Sequence, residues 1–307
     1  MKNYIKLPYF IFFAVIFLLF ACNQANSSKE KETIIKGTTT IYVDETLTPI
    51  VEDQVAVFES NYEAKIKLIS KSESETVNSL FNKKAAIAIL SRNLTNKELS
   101  IFDQRKIIPK VTVFATDAIA FISNKNNKDT IVALKDVIKF MQGKQVASIK
   151  GLVFDNPNSS TVRYMNSLAG LNAIPEKGVF SFKTNDDVIK YVSENDGMIG
   201  VVGVNWLSQP MPAMQKFVDN VNTLGVIGDK SDKSYTPSQN NIAEGKYTLA
   251  RDLYIINCQG YSGLGMGFAS FVAGDIGQRI ILKSGLLPVR IPSRNIKIRK
   301  QIENDKK

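Results

Sequence analysis

FDNPNSSTVRY, Phe154 to Tyr164, reads as a strand that runs out into a polar loop and then opens a helix. Leu152, Val153 and Phe154 are the apolar end of the strand, Pro157 sits in the loop, and Val162, Met165 and Leu168 recur on one face of the helix. The first backbone N–H groups of a helix have no acceptor within the helix, and the dipole there is positive. Ser159, Ser160 and Thr161 add hydroxyls to those donors, so the junction is suited to an anion, and Arg163 lies near enough to add a full charge. The same three residues also suit an ordinary helix cap. The choice rests on what surrounds them.

Before this junction the chain repeats its pattern. Ile34 to Val43 is β-branched and predicts a strand, and Asp44 to Tyr62 predicts a helix capped by Thr48 with Pro49 in its first turn. Thr46 and Thr48 stand at the mouth of this second junction. Ala64 to Ile69 predicts a strand, and the charged run Ser70 to Glu75 after it predicts a solvated loop. Ala85 to Leu90 is a continuous apolar run, as in a strand buried on both faces; Ser91 and Arg92 follow it, and Thr95 with Glu98 forms a capping box. Strand and helix alternate, and ligands of open α/β sheets collect at the carboxyl ends of the strands.

Val111 to Ser123 is long for a strand and carries Asp117 in its middle, so it is expected to pass from one lobe into another. Leu249 to Asn257 is expected to run back beside it, giving two crossings and a hinge. In the second lobe, Val179 to Lys183 predicts a strand and Asn185 a helix cap; Met198 to Val204 is a buried run that ends at Asn205 and Trp206. Helices built on Phe268 with Phe271, and on Ile276 with Ile280 and Ile281, return the chain to the first lobe. Gly263 to Gly267 (GLGMG) lacks the spacing of a nucleotide-binding turn.

Composition narrows the function. The chain has 307 residues, a formal charge of +10 and no histidine. The lack of histidine removes the usual general base, the Ser-His-Asp triad and the commonest metal ligand, so neither an enzyme nor a metal or cofactor is expected. Met1 to Ala21 carries Lys2 and Lys6 before an apolar run and reads as a signal peptide, with Cys22 as the lipidated first residue. Its removal takes the formal charge from +10 to +8. Residues 22–33 read as the lipidated cysteine and a polar tether. Such a chain is exported, which sets nucleic acid aside and leaves a small anion or an envelope partner. Cys258 is the other cysteine and is expected to be a buried, inert thiol.

With DETLTPI (44–50), AILSRNLTNKEL (88–99), VFDNPNSSTVRY (153–164), IGVVGVNWLS (199–208), YTLARDLYI (247–255) and GQRIILKSGLLP (277–288) read together, the chain resembles the PstS-like phosphate-binding lipoproteins of ABC importers, in their divergent Bacteroidota-type branch. The resemblance implies a type II periplasmic-binding-protein fold, in which two α/β lobes joined by a two-strand hinge close on a ligand. Residues 34–116 with 253–298 would form lobe 1, residues 117–252 lobe 2, and residues 299–307 a basic tail.

In the family the phosphate is held by hydroxyls and N–H groups of the first lobe, a helix start in the second, one arginine and one aspartate. Carried over, these fall on Thr46 and Leu47, on Ser72, and on Ser159, Ser160 and Thr161. Two positions depart from the pattern. Arg92 stands where the family has its aspartate, and Asp155 stands close to the place of its arginine. Arg92 or Arg163 would then neutralise the anion and Asp155 would accept a proton from it. The expected protein is a monomeric envelope lipoprotein facing the periplasm, which binds phosphate or a related oxyanion and passes it to an ABC permease or other envelope machinery. The alternative is an accessory docking lipoprotein whose anion site is lost or changed.

Overall fold

The computed structural model describes residues 32–229 and 232–292. The predicted signal peptide, Cys22, most of the tether and the basic tail lie outside the described residues.

The first lobe opens with β1 (Lys36–Asp44), a single 3-10 turn (Glu45–Leu47), α1 (Thr48–Asn61), β2 (Glu63–Lys71), α2 (Glu73–Phe81), β3 (Ile87–Leu90) and α3 (Asn96–Gln104). The long strand β4 (Lys110–Asn124) leads to β5 (Ile131–Ala133), α4 (Leu134–Met141), β6 (Gly151–Phe154), α5 (Ser160–Ala169), β7 (Val179–Ser181), α6 (Asn185–Glu194), β8 (Met198–Gly203) and α7 (Asn205–Ser208). Then follow α8 (Gln215–Val218), β9 (Val221–Thr223), β10 (Gly225–Ile227), β11 (Ser234–Tyr235), α9 (Gln239–Ala243), β12 (Ala250–Asn257), α10 (Leu264–Val272), α11 (Asp275–Lys283) and β13 (Leu287–Pro288).

The main sheet has ten strands in the order β2-β1-β3-β12-β4-β8-β6-β7, with β13 and β9 also on β4. Its parallel members β3 and β6 are buried at every position, which explains their unbroken apolar sequence. β4 changes partners part-way along. Lys110 to Ala118 pair with the antiparallel β12, whereas Ile119 to Asn124 pair with β8 and β9. One strand therefore belongs to the sheets of both lobes, and β12 runs beside it as the sequence predicts.

Local signals explain several helix ends. Thr95 and Glu98 form the expected capping box of α3, and Gly170 ends α5 in the left-handed region at φ 67°. Four expectations need correction. The charged run Ser70–Glu75 is not a solvated loop: it spans the end of β2 and the start of α2, and Ser72 and Glu73 are buried. Thr48 does not cap α1; its Oγ1 meets Ser70 Oγ at 2.8 Å, and Asp44 caps the 3-10 turn that precedes the helix. Thr184, not Asn185, caps α6. Leu168 is 41% exposed, so the buried stripe of α5 is Val162, Met165 and Ala169.

The glycines of GLGMG answer to packing. A Cβ on Gly267 would lie 1.7 Å from the Ile34 carbonyl oxygen, so only glycine lets α10 sit against the start of β1. Cys258 is a free cysteine of intermediate burial rather than the buried thiol expected, and its partial burial pushes the thiol up to about 11.

Candidate functional site

The two junctions singled out in the sequence meet face to face. Ser159 caps α5: its Oγ accepts from the Val162 N–H at 3.2 Å and donates to Asp155 Oδ1 at 2.6 Å. That fixes the loop, and Ser160 and Thr161 follow as the first helical residues, both fully buried. Across the cleft, β1 ends at Asp44, whose Oδ1 accepts from the Thr46 N–H at 3.2 Å. Thr46 Oγ1 then lies 2.9 Å from Ser160 Oγ, so hydroxyls from the two lobes touch. The Thr46 carbonyl accepts from Asn205 Nδ2 at 3.1 Å and from Trp206 Nε1 at 2.9 Å.

The charge at this meeting point comes from Arg251 on β12. It pairs in register with Asp117 on β4, and its Nη2 and Nε donate to Asp117 Oδ2 at 3.0 and 3.2 Å. Its Nη1 donates to Ser160 Oγ at 3.0 Å and to Ser91 Oγ at 3.5 Å, and its Nη2 also reaches Thr46 Oγ1 at 3.5 Å. The Arg251 and Asp117 side chains are 2% and 0% exposed. A guanidinium thus stands between the hydroxyls of both lobes, held by a carboxylate behind it. Such a group presents several fixed donors to an oxyanion.

Several atoms here are left without partners. Thr161 Oγ1, Asp44 Oδ2, Asp117 Oδ1 and Asn205 Oδ1 are buried and make no hydrogen bond. Buried polar groups are normally satisfied, and two of these residues, Asp44 and Asp117, lie within the field of Arg251. The carboxylates are also perturbed. Burial raises Asp44 to about 6, with Glu73 adding to the rise and Arg251 opposing it. Burial raises Asp155 to about 7, against the hydrogen bond from Ser159. Burial raises Asp117 as well, and Arg251 opposes it.

The predicted site residues separate into two groups. Thr46, Asp155, Ser159, Ser160 and Thr161 come together as described. Leu47 is next to Thr46 in the chain, but its side chain is core. Ser72 caps α2 in a capping box with Glu75, its Oγ donating to Glu75 Oε2 at 2.8 Å. Arg92 donates through Nε to Glu73 at 2.9 Å and holds Glu98 with two bonds of 2.7 and 2.8 Å. Arg163 also binds Glu73, through Nε and through Nη2 at 3.1 Å. The two arginines expected at the anion therefore converge on one glutamate. Asp155 has both oxygens engaged, by Ser159 and by Asn185 Nδ2 at 3.0 Å.

Sequence reasoning missed Arg251, Asp44 and Glu73. Asp117 reads in the sequence only as a charge within a strand. An arginine inside the apolar run of β12 and an aspartate inside that of β4 were a signal: two opposite charges in neighbouring buried strands have reason to pair. Glu73 carried no such signal, because the run around it reads as solvated. A polar cavity of about 590 Å³ opens beside the site, lined by Ser74 from the first lobe and by Asn158, Ser159, Arg163 and Asn166 from the second.

A family model described as a PBP superfamily domain matches residues 27–275. The chain belongs to the PBP superfamily. Within it, the protein is 28% identical over 302 residues to the phosphate-binding protein PstS of Borreliella burgdorferi, covering 93% of this chain and 99% of that one. A putative phosphate ABC transporter substrate-binding protein from Clostridium perfringens, solved with bound phosphate, superposes with a TM-score of 0.69 at 19% identity, covering 83% of this chain and 100% of that one. An ABC-type phosphate transport receptor from Vibrio cholerae gives a TM-score of 0.62 at 17% identity, over 82% and 100% of the two chains. This PBP superfamily member has the type II fold expected from the sequence, with two α/β lobes on a shared β4 and β12.

Proposed function

We propose that this protein binds phosphate between its lobes and delivers it to an ABC importer. The observation that carries the reading is the position of Arg251, which contacts hydroxyls of both lobes at the start of a helix whose Thr161 Oγ1 has no partner. The relatives named for phosphate support it. Thr46, Ser160 and Thr161 would donate hydrogen bonds, and Arg251, rather than Arg92 or Arg163, would supply the charge. Hydrogen bonds to a charged group contribute roughly 1.5–3 kcal/mol each, so four or five reach the ~8 kcal/mol of a micromolar complex.

Selectivity follows from the carboxylates. An acceptor-only group tests the ligand for a proton and repels a fully ionised anion such as sulfate. Asp155 has its oxygens occupied by Ser159 and Asn185, whereas Asp44 Oδ2 is buried and unpartnered. Asp44 is therefore the residue proposed to accept the phosphate proton.

The division into lobe 1, 34–116 with 253–298, and lobe 2, 117–252, is part of the proposal. The exchange of β4 partners between Ala118 and Ile119 supports it. Lipidation at Cys22, a periplasm-facing anchor, a monomeric state and a purely non-catalytic role complete the reading. Among the described residues no helix is long and apolar enough to cross a membrane.

Titration calorimetry of the mature chain with phosphate and with sulfate, at two pH values, tests the proposal. Tight phosphate binding with sulfate rejected is expected. Absence of heat with either anion would overturn it in favour of the accessory docking lipoprotein.

A further inference from the structure

The site uses neither Arg92 nor Arg163, yet both are held by Glu73, whose side chain is 2% exposed. Glu73 is the first residue of α2 in the first lobe, where the helix dipole favours a carboxylate. It accepts from Arg92 Nε at 2.9 Å and from Ser91 Oγ at 3.3 Å, both at the end of the neighbouring β3. Its third partner, Arg163, comes from α5 across the cleft. The Arg163 side chain is 38% exposed and lines the polar cavity beside the site.

These partners respond differently to lobe separation. Arg92 and Ser91 belong to the same lobe as Glu73 and travel with it, so the carboxylate stays compensated when the cleft opens. Arg163 is carried away and returns to water. Opening thus costs one ion pair without stranding a buried charge, which is the expensive outcome for such pairs. We infer that Glu73 and Arg163 form a reversible electrostatic latch, with Glu73 as a positioning residue that biases the lobes toward the closed arrangement before a ligand is fully seated. Arg92 and Ser91 keep the carboxylate oriented while the latch is open.

A latch acts on the population of the closed state, and apparent affinity scales with the fraction of protein that is competent to hold its ligand. Breaking it should therefore speed dissociation. The affinity arm of this inference rests on the phosphate-binding reading; the closure arm does not.

The test compares Arg163→Gln and Arg163→Lys with the unmodified mature chain. Small-angle scattering without ligand should give a larger radius of gyration for Arg163→Gln and an intermediate one for Arg163→Lys, with high salt expanding the unmodified chain toward the Gln variant. Phosphate should dissociate faster from Arg163→Gln, with affinity lower by roughly tenfold. An unchanged radius and dissociation rate in Arg163→Gln would overturn the latch even if the unmodified chain binds phosphate well. Expansion of Arg163→Gln in a protein that takes no phosphate would retain the latch and overturn the functional reading instead. Glu73→Gln is a second variant: it removes the charge from the same pair and should expand the ligand-free chain in the same way.

Discussion

The indole N–H of Trp206 donates to the carbonyl of Thr46 at 2.9 Å, so the first residue of α7 but one in lobe 2 is tied to the loop that ends β1 in lobe 1. Trp206 is the single tryptophan of the chain. Its fluorescence should report lobe closure directly, since the hydrogen bond and the exposure of the ring change together. A phosphate titration is expected to shift the emission with the same midpoint as calorimetry. A spectrum unchanged through saturation would mean that this bond persists in every state and that closure does not pass through it.

Replacing Arg251 should be the most damaging change at the site. Arg251→Met leaves Asp117 buried without its partner, an arrangement that costs about 3–5 kcal/mol. Phosphate binding is expected to disappear and the melting temperature to fall. Adding Asp117→Asn removes the stranded charge, so the double variant should melt higher than Arg251→Met while still binding no phosphate. A double variant that regains affinity would show that Arg251 is only structural.

Thr161→Val separates binding from folding. The change keeps the side-chain shape and removes a buried hydroxyl oxygen that has no partner. Stability should hold or rise slightly, while the lost hydrogen bond to the anion, about 1.5–3 kcal/mol, should lower affinity by roughly ten- to hundredfold. Equal affinities for the two proteins would remove Thr161 from the site.

Acidity should stabilise the ligand-free protein. Asp44 is raised to about 6 and Asp155 to about 7, chiefly by burial. A carboxyl raised on folding binds more protons in the native state than in the unfolded chain, so its contribution is complete below the ordinary carboxylate range. It is lost as pH climbs through the folded value. Melts in phosphate-free buffer should therefore give a higher midpoint at about pH 5 than at about pH 8, with Asp44→Asn flattening the difference. A midpoint that rises over that interval in the unmodified protein would contradict the assignment.

What could be read from the sequence was what is local. The cap at Ser159 bonds a backbone group three residues on, and the Thr95–Glu98 box is equally short-ranged, so both are written in adjacent letters. The strand and helix alternation is likewise carried by short apolar periods. Arg251 and Asp117 lie 134 positions apart, and their meeting depends on the register of β12 against β4, which no local pattern specifies. Glu73 failed for a different reason. A charged run is solvated by default, and only the convergence of two arginines made burial of this carboxylate tolerable. Thr48 does not act as a cap because Asp44 already starts a 3-10 turn, which leaves the threonine as the first residue of the helix.

The pairing of Arg251 and Asp117 on β12 and β4 has one more consequence. When two rigid bodies rotate about an axis, displacement grows with the distance from that axis. A charge mounted on the connecting strands themselves moves little in such a rotation, whereas Thr46 and Ser160 belong to elements of the two opposite lobes and reach the guanidinium only through their hydroxyls, at 3.5 and 3.0 Å. On the proposed reading the guanidinium is the floor of the site, in place before the anion arrives, and the hydroxyls are the parts that would close over it.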